Sequence, residues 1–167
     1  FRRLVCILGS CQRTGRKKHM RSAWCAAIML TSVTVTAVAH TGVENPVVLE
    51  RMQNMKAMAD QMEVLVPMAR GETDFDANRV AAALEALQRL ATEVPARFRM
   101  PEMDPQSEAL PEIWESFEDF EARSNELLDI ARSAYSSQIN DNRELIQVVR
   151  QVGSSCSSCH EGYRAEQ

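Results

Sequence analysis

Residues 142–163 read NRELIQVVRQVGSSCSSCHEGY and have the pattern of an amphipathic helix that ends in reactive side chains. Asn140 or Asp141 is placed to cap this helix, because a short side-chain oxygen accepts hydrogen bonds from the first amide groups. Apolar and sulfur-containing residues recur at three- and four-residue steps, which puts them on one face. This inward stripe consists of Leu145, Val148 or Val149, Val152, Cys156, Cys159 and Tyr163.

A second periodic stretch runs from about 46 to 69. Asn45 can cap it with Pro46 at the first position, where the missing amide hydrogen costs nothing. Pro67 is expected to kink its last turn, and Gly71 ends it. Its apolar residues share one face of a helix and include four methionines: Val48, Met52, Met55, Met58, Met62 and Leu65.

Two more helical stretches are separated by a proline-rich connection over 95–111, which is too rich in proline to continue a helix. The earlier one opens at Asp74 or Asp76 and stops before Pro95, and the later one runs from near Pro111 to about Tyr135. Since no segment alternates with period two, we predict an all-α fold, an antiparallel four-helix bundle. The inward residues of these two helices are Val80, Leu84, Leu87 and Leu90, then Ile113 or Trp114, Phe117, Phe120, Leu127 or Leu128, and Ala131.

Residues 1–39 differ in composition from the rest of the chain, with seven basic residues and no acidic one. Basic residues precede an apolar run over 23–39 that closes with Ala37-Val38-Ala39, the pattern of a secretory signal peptide. At about 17 residues with several Ser and Thr, the run is short for a membrane anchor. We predict cleavage after Ala39, a mature domain over 40–167 located in the periplasm, and a natural start at Met20, with residues 1–19 as upstream sequence.

The remaining 128 residues hold 12 basic and 23 acidic side chains, which gives them a formal charge of −11. Such a domain repels phosphates, so nucleic acid is excluded as a partner. An acidic protein instead favours partner proteins with a basic surface. The mature form is expected to carry no membrane anchor.

The segment Cys156-Ser157-Ser158-Cys159-His160 is the attachment signature of a c-type haem. Residues three apart on a helix face the same side, so Cys156 and Cys159 can bond one edge of the macrocycle, while His160 presents its imidazole to the iron. Only these two cysteines remain after cleavage. The sequence therefore predicts one covalent haem near the C-terminus.

Three other interpretations of the cysteine pair were weighed. A thioredoxin-like redox couple requires a strand before the helix, which this sequence does not offer. A zinc site requires four ligands, and only Cys156, Cys159, His160 and His40 supply nitrogen or sulfur. A structural disulfide leaves His160 without a role. Haem attachment is the interpretation that uses all three motif residues.

These residues resemble the cytochromes c prime and their low-spin relatives, the class II cytochromes c, over about 46–164. Several other segments share the family pattern: Arg51 followed by Met55, Pro111-Glu112-Ile113-Trp114 at the start of the third helix, Val152-Gly153 before Cys156, and Tyr163-Arg164 after the motif. The resemblance implies a four-helix bundle with one haem c, and it allows a homodimer through the first two helices.

The resemblance also assigns roles to residues outside the motif. It implies that Arg51 pairs with a haem propionate and that Arg164 lies beside the proximal His160. A solvated surface charge is the alternative for Arg51. The family has either a ligating methionine or a bulky apolar residue on the distal side of the iron, and Met55 matches that position. The alternatives are that the methionine stripe only fills the core, or that Met58 ligates one turn further along.

Three functions are consistent with this reading of the sequence. The first is a periplasmic one-electron carrier with His160 and Met55 as iron ligands, since His/Met coordination suits electron transfer. The second is a five-coordinate cytochrome c prime that binds nitric oxide or carbon monoxide. The third is a carrier of Cu(I) held by the methionine stripe. No catalytic triad, carboxylate pair or phosphate loop can be built, so we expect no enzyme.

Overall fold

Four long helices and one short helix make up most of residues 42–166, the part of the chain that this computed structural model describes. The helices are α1 (Pro46–Ala69), α2 (Ala77–Arg97), α3 (Glu112–Glu115), α4 (Phe117–Ser136) and α5 (Asn142–Tyr163). The described residues contain no β-strand beyond an isolated bridge between Ala109 and Arg164. The predicted all-α class is therefore confirmed.

The long helices form a closed ring, because α1 contacts α2, α2 contacts α4, α4 contacts α5, and α5 contacts α1. Arg51, near the start of α1, reaches the last residue of α2, Arg97. Tyr163, at the end of α5, reaches Asp119 in the first turn of α4. These contacts make both helix pairs antiparallel, so the structure is the expected antiparallel four-helix bundle.

The predicted signal peptide and its cleavage after Ala39 lie outside the described residues, and they stay a prediction. Residues 42–166 all belong to one structural unit. No helix in this described part is long and apolar enough to cross a membrane.

The helix ends follow the capping residues of the sequence. Asn45 Oδ1 accepts a hydrogen bond from the Val47 amide at 2.9 Å. The N-terminal cap of α2 is Asp76 and not Asp74, and that of α5 is Asp141 and not Asn140. Gly71 adopts φ 73° after α1, a conformation that glycine tolerates best, and its amide donates to the Met68 carbonyl at 3.0 Å.

One predicted helix boundary is wrong, and one predicted helix is interrupted. The second helix does not stop before Pro95 but continues to Arg97. Pro95 removes only its own amide donor, and the Phe98 amide still closes the last turn on the Val94 carbonyl at 3.1 Å. The third helix is interrupted at Ser116, whose φ of −129° and ψ of 45° are not helical. One predicted helix is therefore two, α3 and α4.

The buried face of α1 also differs from the predicted apolar stripe. Arg51 and Asn54 are among its most buried residues, whereas Met52, Met55 and Met62 are only half-buried. Arg51 can be buried because it donates to three backbone carbonyls. Asn54 Nδ2 donates to the Leu90 carbonyl at 3.4 Å, while its buried Oδ1 has no hydrogen-bond partner. The core proper is apolar and includes these fully buried side chains: Leu65, Met68, Leu84, Leu87, Ile113, Leu145, Val48, Val80 and Val152.

Asp104 anchors the long connection between α2 and α3 to the start of α1. Its carboxylate accepts hydrogen bonds from the amides of Gln106 at 2.9 Å, Asn45 at 3.1 Å and Glu44 at 3.0 Å. The bonds from Gln106 and Asn45 outweigh partial burial and lower the pKa of Asp104. The ionised carboxylate thus fixes the connection against α1.

We expect Asp104→Asn to lower the melting temperature at pH 7, because the amide oxygen is a weaker acceptor for three amides. A lowered native pKa stabilises the fold above the unfolded value of about 3.9, and this contribution is lost as pH falls through the native pKa. The difference in melting temperature between wild type and variant should therefore shrink from pH 7 to pH 3. Asp129→Asn, at an exposed carboxylate, is the control. A difference that stays constant with pH would contradict this role.

Candidate functional site

A cavity of about 960 Å³ lies inside the ring of helices. This volume is within the range of roughly 300–1,000 Å³ that is typical of small-molecule and cofactor sites. Its walls come from all four long helices and from the connection before α3, and they are mostly apolar. The lining includes Met52, Met55, Met58 and Met62 from α1, Leu87 and Val94 from α2, Phe120 and Leu127 from α4, and Cys156, Cys159, His160 and Tyr163 from α5.

The α5 wall brings the three motif residues to the cavity together. Cys156 and Cys159 are half-buried free thiols one turn apart. Burial raises the pKa of both, that of Cys159 to about 11. Desolvation lowers the pKa of His160, as does the positive charge of Arg164. Both effects favour the uncharged imidazole, the form that can donate a lone pair to a metal, although the residue is exposed at the mouth of the cavity.

The α1 wall presents the methionines. Met55 is half-buried and packs against the edge of the core, whereas Met58 is 8% exposed and belongs to the core itself. α1 and α5 are in direct contact. The cavity therefore has thioether sulfurs on α1 and thiols and an imidazole on α5.

This donor set fits a haem. Two thiols and an adjacent imidazole suit covalent attachment and iron ligation, and the apolar walls suit the faces of a macrocycle. The cavity wall also holds Ser124 and Ser155, whose buried hydroxyl oxygens have no hydrogen-bond partner. Residues 42–166 contain no cluster of three or more His, Cys, Asp or Glu side chains that could hold a metal ion, so the zinc alternative finds no site there.

Arg51 is not a solvated surface charge, since only 3% of it is exposed. Its Nε donates to the Arg97 carbonyl at 2.8 Å, Nη1 to the Glu102 carbonyl at 2.7 Å, and Nη2 to the Met100 carbonyl. The guanidinium carbon also lies 5.0 Å from the ring centre of Phe98. Arg51 lines the cavity, and two of its five N–H groups remain for another acceptor. The pairing with a propionate stays a prediction.

Arg164 lines the cavity beside His160 and is held there by the connection before α3. Its Nε donates to Glu108 Oε2 at 2.6 Å. The backbones of the two segments are also joined, because the Ala165 amide donates to the Glu108 carbonyl at 2.8 Å and the Leu110 amide to the Tyr163 carbonyl at 3.0 Å. These bonds hold Arg164 beside His160, and its role on the proximal side stays a prediction.

A cluster on α4 was missed by the sequence reasoning. Arg123 Nη1 donates to the Ser158 carbonyl at 2.9 Å and to its hydroxyl at 2.8 Å, inside the motif itself. Arg123 Nε pairs with Asp119 at 2.7 Å, and the Tyr163 hydroxyl donates to the same carboxylate at 2.6 Å. The two hydrogen bonds to Asp119 lower its pKa. Only the four-residue spacing of Asp119 and Arg123 was visible in the sequence, and it indicates no more than a surface pair.

Residues 46–164 match the protein family described as Cytochrome C'. The chain belongs to the cytochrome c' family. A cytochrome c-556 from Agrobacterium fabrum is 31% identical to it over 110 residues, which cover 66% of this chain and 75% of the relative. The family carries one covalently attached haem c, so the cofactor predicted from the sequence is confirmed.

Solved structures share the fold of this cytochrome. Cytochrome c' from Rhodopseudomonas palustris has a TM-score of 0.69 at 28% identity, over 74% of this chain and 99% of that one. The nitric oxide complex of a variant of cytochrome c prime from Alcaligenes xylosoxidans has a TM-score of 0.65 at 26% identity, over 72% and 94% of the two chains. The family therefore includes a member solved with bound nitric oxide.

We predict that Arg51→Lys destabilises this cytochrome by roughly 3 kcal/mol or more, because one ammonium cannot replace a planar group that serves three buried carbonyls. Denaturant unfolding measures the loss. Arg70→Lys, at a residue whose side chain is 69% exposed, should change the free energy of unfolding by about 0.5 kcal/mol or less. Equal losses in the two variants would contradict a structural role for Arg51.

Proposed function

We propose that this cytochrome is a periplasmic one-electron carrier and not an enzyme, with Cys156 and Cys159 as the haem attachment sites and His160 and Met55 as the iron ligands. The observation that carries the proposal is that His160 on α5 and Met55 on α1 line one cavity. The bound haem supplies a one-electron ferric–ferrous couple. The residues of the chain attach the haem, ligate its iron and position the two walls of the cavity.

The attachment side depends on the end of α5. Cys156 and Cys159 lie one turn apart on the inward face, and Arg123 holds the intervening turn through Ser158. His160 follows at the next position and lines the same cavity. Arg164, fixed by Glu108, adds a positive charge beside His160.

Two observations on α1 favour Met55 over the neighbouring methionines as the iron ligand. Met55 lies one turn after Arg51, whose guanidinium fixes the height of α1 against α2. Met58, the alternative ligand, is packed into the core with 8% of its surface exposed, so its thioether already has close apolar neighbours. Met55 and His160 would hold the haem iron as ligands, and His/Met ligation would supply a one-electron couple that suits a carrier.

A second function is capture of nitric oxide or carbon monoxide at five-coordinate iron. It is favoured by the relative solved as a nitric oxide complex and by the apolar character of the cavity. In this case Met55 only covers the distal side without ligating. A Cu(I) carrier is not favoured, because the family carries haem. The resemblance to dimeric relatives also predicts a homodimer through α1 and α2.

The optical spectrum of the holoprotein distinguishes the two functions. We expect low-spin spectra in both oxidation states and no rapid uptake of carbon monoxide by the reduced protein. Met55→Ala should convert the iron to a high-spin, gas-accessible form, because it removes the sixth ligand.

Met52→Ala and Met62→Ala are the matched controls, since both residues line the cavity from α1. They should keep the low-spin spectrum and lose less than the ~2–5 kcal/mol that truncation of a fully buried methionine costs. If Met58→Ala changes the spin state and Met55→Ala does not, the iron ligand is Met58, one turn further along α1. High-spin spectra in the wild type would support the gas-binding function.

His160→Ala should abolish the normal proximal coordination but leave both thioether bonds possible, because the cysteines and the histidine make separate bonds to the cofactor. Denaturing gel electrophoresis with haem staining should still show covalent haem, while the visible spectrum changes. Glu161→Ala, at the next and exposed position, should leave the spectrum unchanged. An unchanged spectrum in His160→Ala would overturn the proposed ligand.

A further inference from the structure

Two of the large apolar residues exposed in the described part of the chain lie in one loop. Met100 is 58% exposed and Met103 is 47% exposed, and Pro101 and Pro105 of the same loop are exposed as well. We call residues 100–105 the methionine loop. Exposed methionines are common at surfaces that bind other proteins, because the thioether side chain adapts to different contours.

Hydrogen bonds of Arg51 and Asp104 hold the backbone of the methionine loop in place. Arg51 donates hydrogen bonds to the carbonyls of Met100 and Glu102, and the buried Asp104 accepts three backbone amides. The apolar side chains are therefore displayed on an anchored backbone. A surface that is ordered before binding loses less entropy when a partner docks.

The same contacts connect the loop to the cavity. Arg51 lines the cavity and is bonded to the Met100 carbonyl. Phe98, two residues before Met100, also lines the cavity and packs against the Arg51 guanidinium. Between a partner bound to the methionine loop and the cavity lie only the loop backbone and the side chains of Arg51 and Phe98.

Carboxylates outnumber bases around the loop, with Glu50, Glu93, Glu102, Asp104 and Glu121 against Arg51, Arg97 and Arg99. Arg97 is paired with Glu93 at 2.7 Å and with Glu50 at 3.3 Å, and Arg99 with Glu121 at 3.8 Å. Glu102 lies within the loop itself. The nearby bases are thus matched by carboxylates, and residues 40–167 as a whole carry a formal charge of −11.

We propose that the methionine loop is the docking surface for a redox protein whose contact face is apolar at the centre and basic at the rim. The inference rests on the proposed carrier function. One electron passes between the two proteins across this contact, and no bond forms or breaks. Small apolar contacts with charged surroundings suit short-lived electron-transfer complexes.

Electron exchange with a basic single-haem cytochrome c, used as the probe, tests the proposal by stopped flow. We expect the double variant Met100→Gln and Met103→Gln to lower the second-order rate constant by about tenfold or more. Tyr135→Gln is the matched control, because Tyr135 is 40% exposed but lies 18 residues along α4 from Phe117, about 27 Å from the end near the loop. It should leave the rate constant unchanged, and rising salt should lower it in the wild type.

A small inorganic oxidant, ferricyanide, separates failure of docking from failure of the carrier function, because it is strong enough to oxidise a His/Met-ligated haem. It needs no apolar docking surface, so its rate with the reduced protein should be the same in wild type and double variant. If the wild type reacts with neither oxidant, the carrier function itself fails. If it reacts with both and the double variant keeps the full rate with the protein probe, only the docking proposal is overturned.

Methionine methyl NMR of the holoprotein gives a second readout. Addition of a redox-inert, zinc-substituted form of the probe should broaden the methyl signals of Met100 and Met103 and leave that of Met68, which is 1% exposed, unchanged. Broadening confined to other methionines would contradict the proposal. The same broadening in the protein alone at rising concentration would show that a second copy covers the loop, and would also overturn it.

Discussion

The Arg51 guanidinium donates to three backbone carbonyls, lies against the rings of Phe98 and Trp114, and lines the cavity. It joins α1 to the end of α2 and to the connection that follows. The last carbonyls of a helix have no partners within it, and Arg51 supplies one to the Arg97 carbonyl at the end of α2. Because Met55 lies one turn from Arg51, the same contacts fix the height at which the methionines face the cavity.

Arg123 performs the corresponding task on the other side of the ring. It holds the turn between the two cysteines through Ser158 and is itself held by Asp119, which also receives the Tyr163 hydroxyl. The Tyr163 ring packs edge-on against Phe120, with ring centres 5.3 Å apart. Two arginines bound to backbone carbonyls thus fix the two walls, one that carries thioethers and one that carries thiols and an imidazole.

The helices themselves were predictable wherever a local signal decides the structure. Asn45, Pro46 and Gly71 bound α1 because capping and the positive φ after a helix depend on neighbouring residues alone. The break at Ser116 and the continuation through Pro95 were not predictable. Pro95 removes only its own amide donor, so a helix can end at it or continue through it. The residues before Ser116 are tied to the end of α2 by the Trp114 hydrogen bond to the Phe98 carbonyl at 2.7 Å, which no local pattern indicates.

The sequence by itself determined the all-α class, the four amphipathic helices and the motif from Cys156 to His160, because periodicity and motif spacing are properties of a few consecutive residues. It also singled out Arg51 and Met55 through a resemblance. Only the tertiary structure decided that Arg51 is buried and that Arg123 reaches Ser158. Those contacts join residues 35 or more positions apart, and no local pattern records which distant carbonyl a side chain will meet once the helices pack.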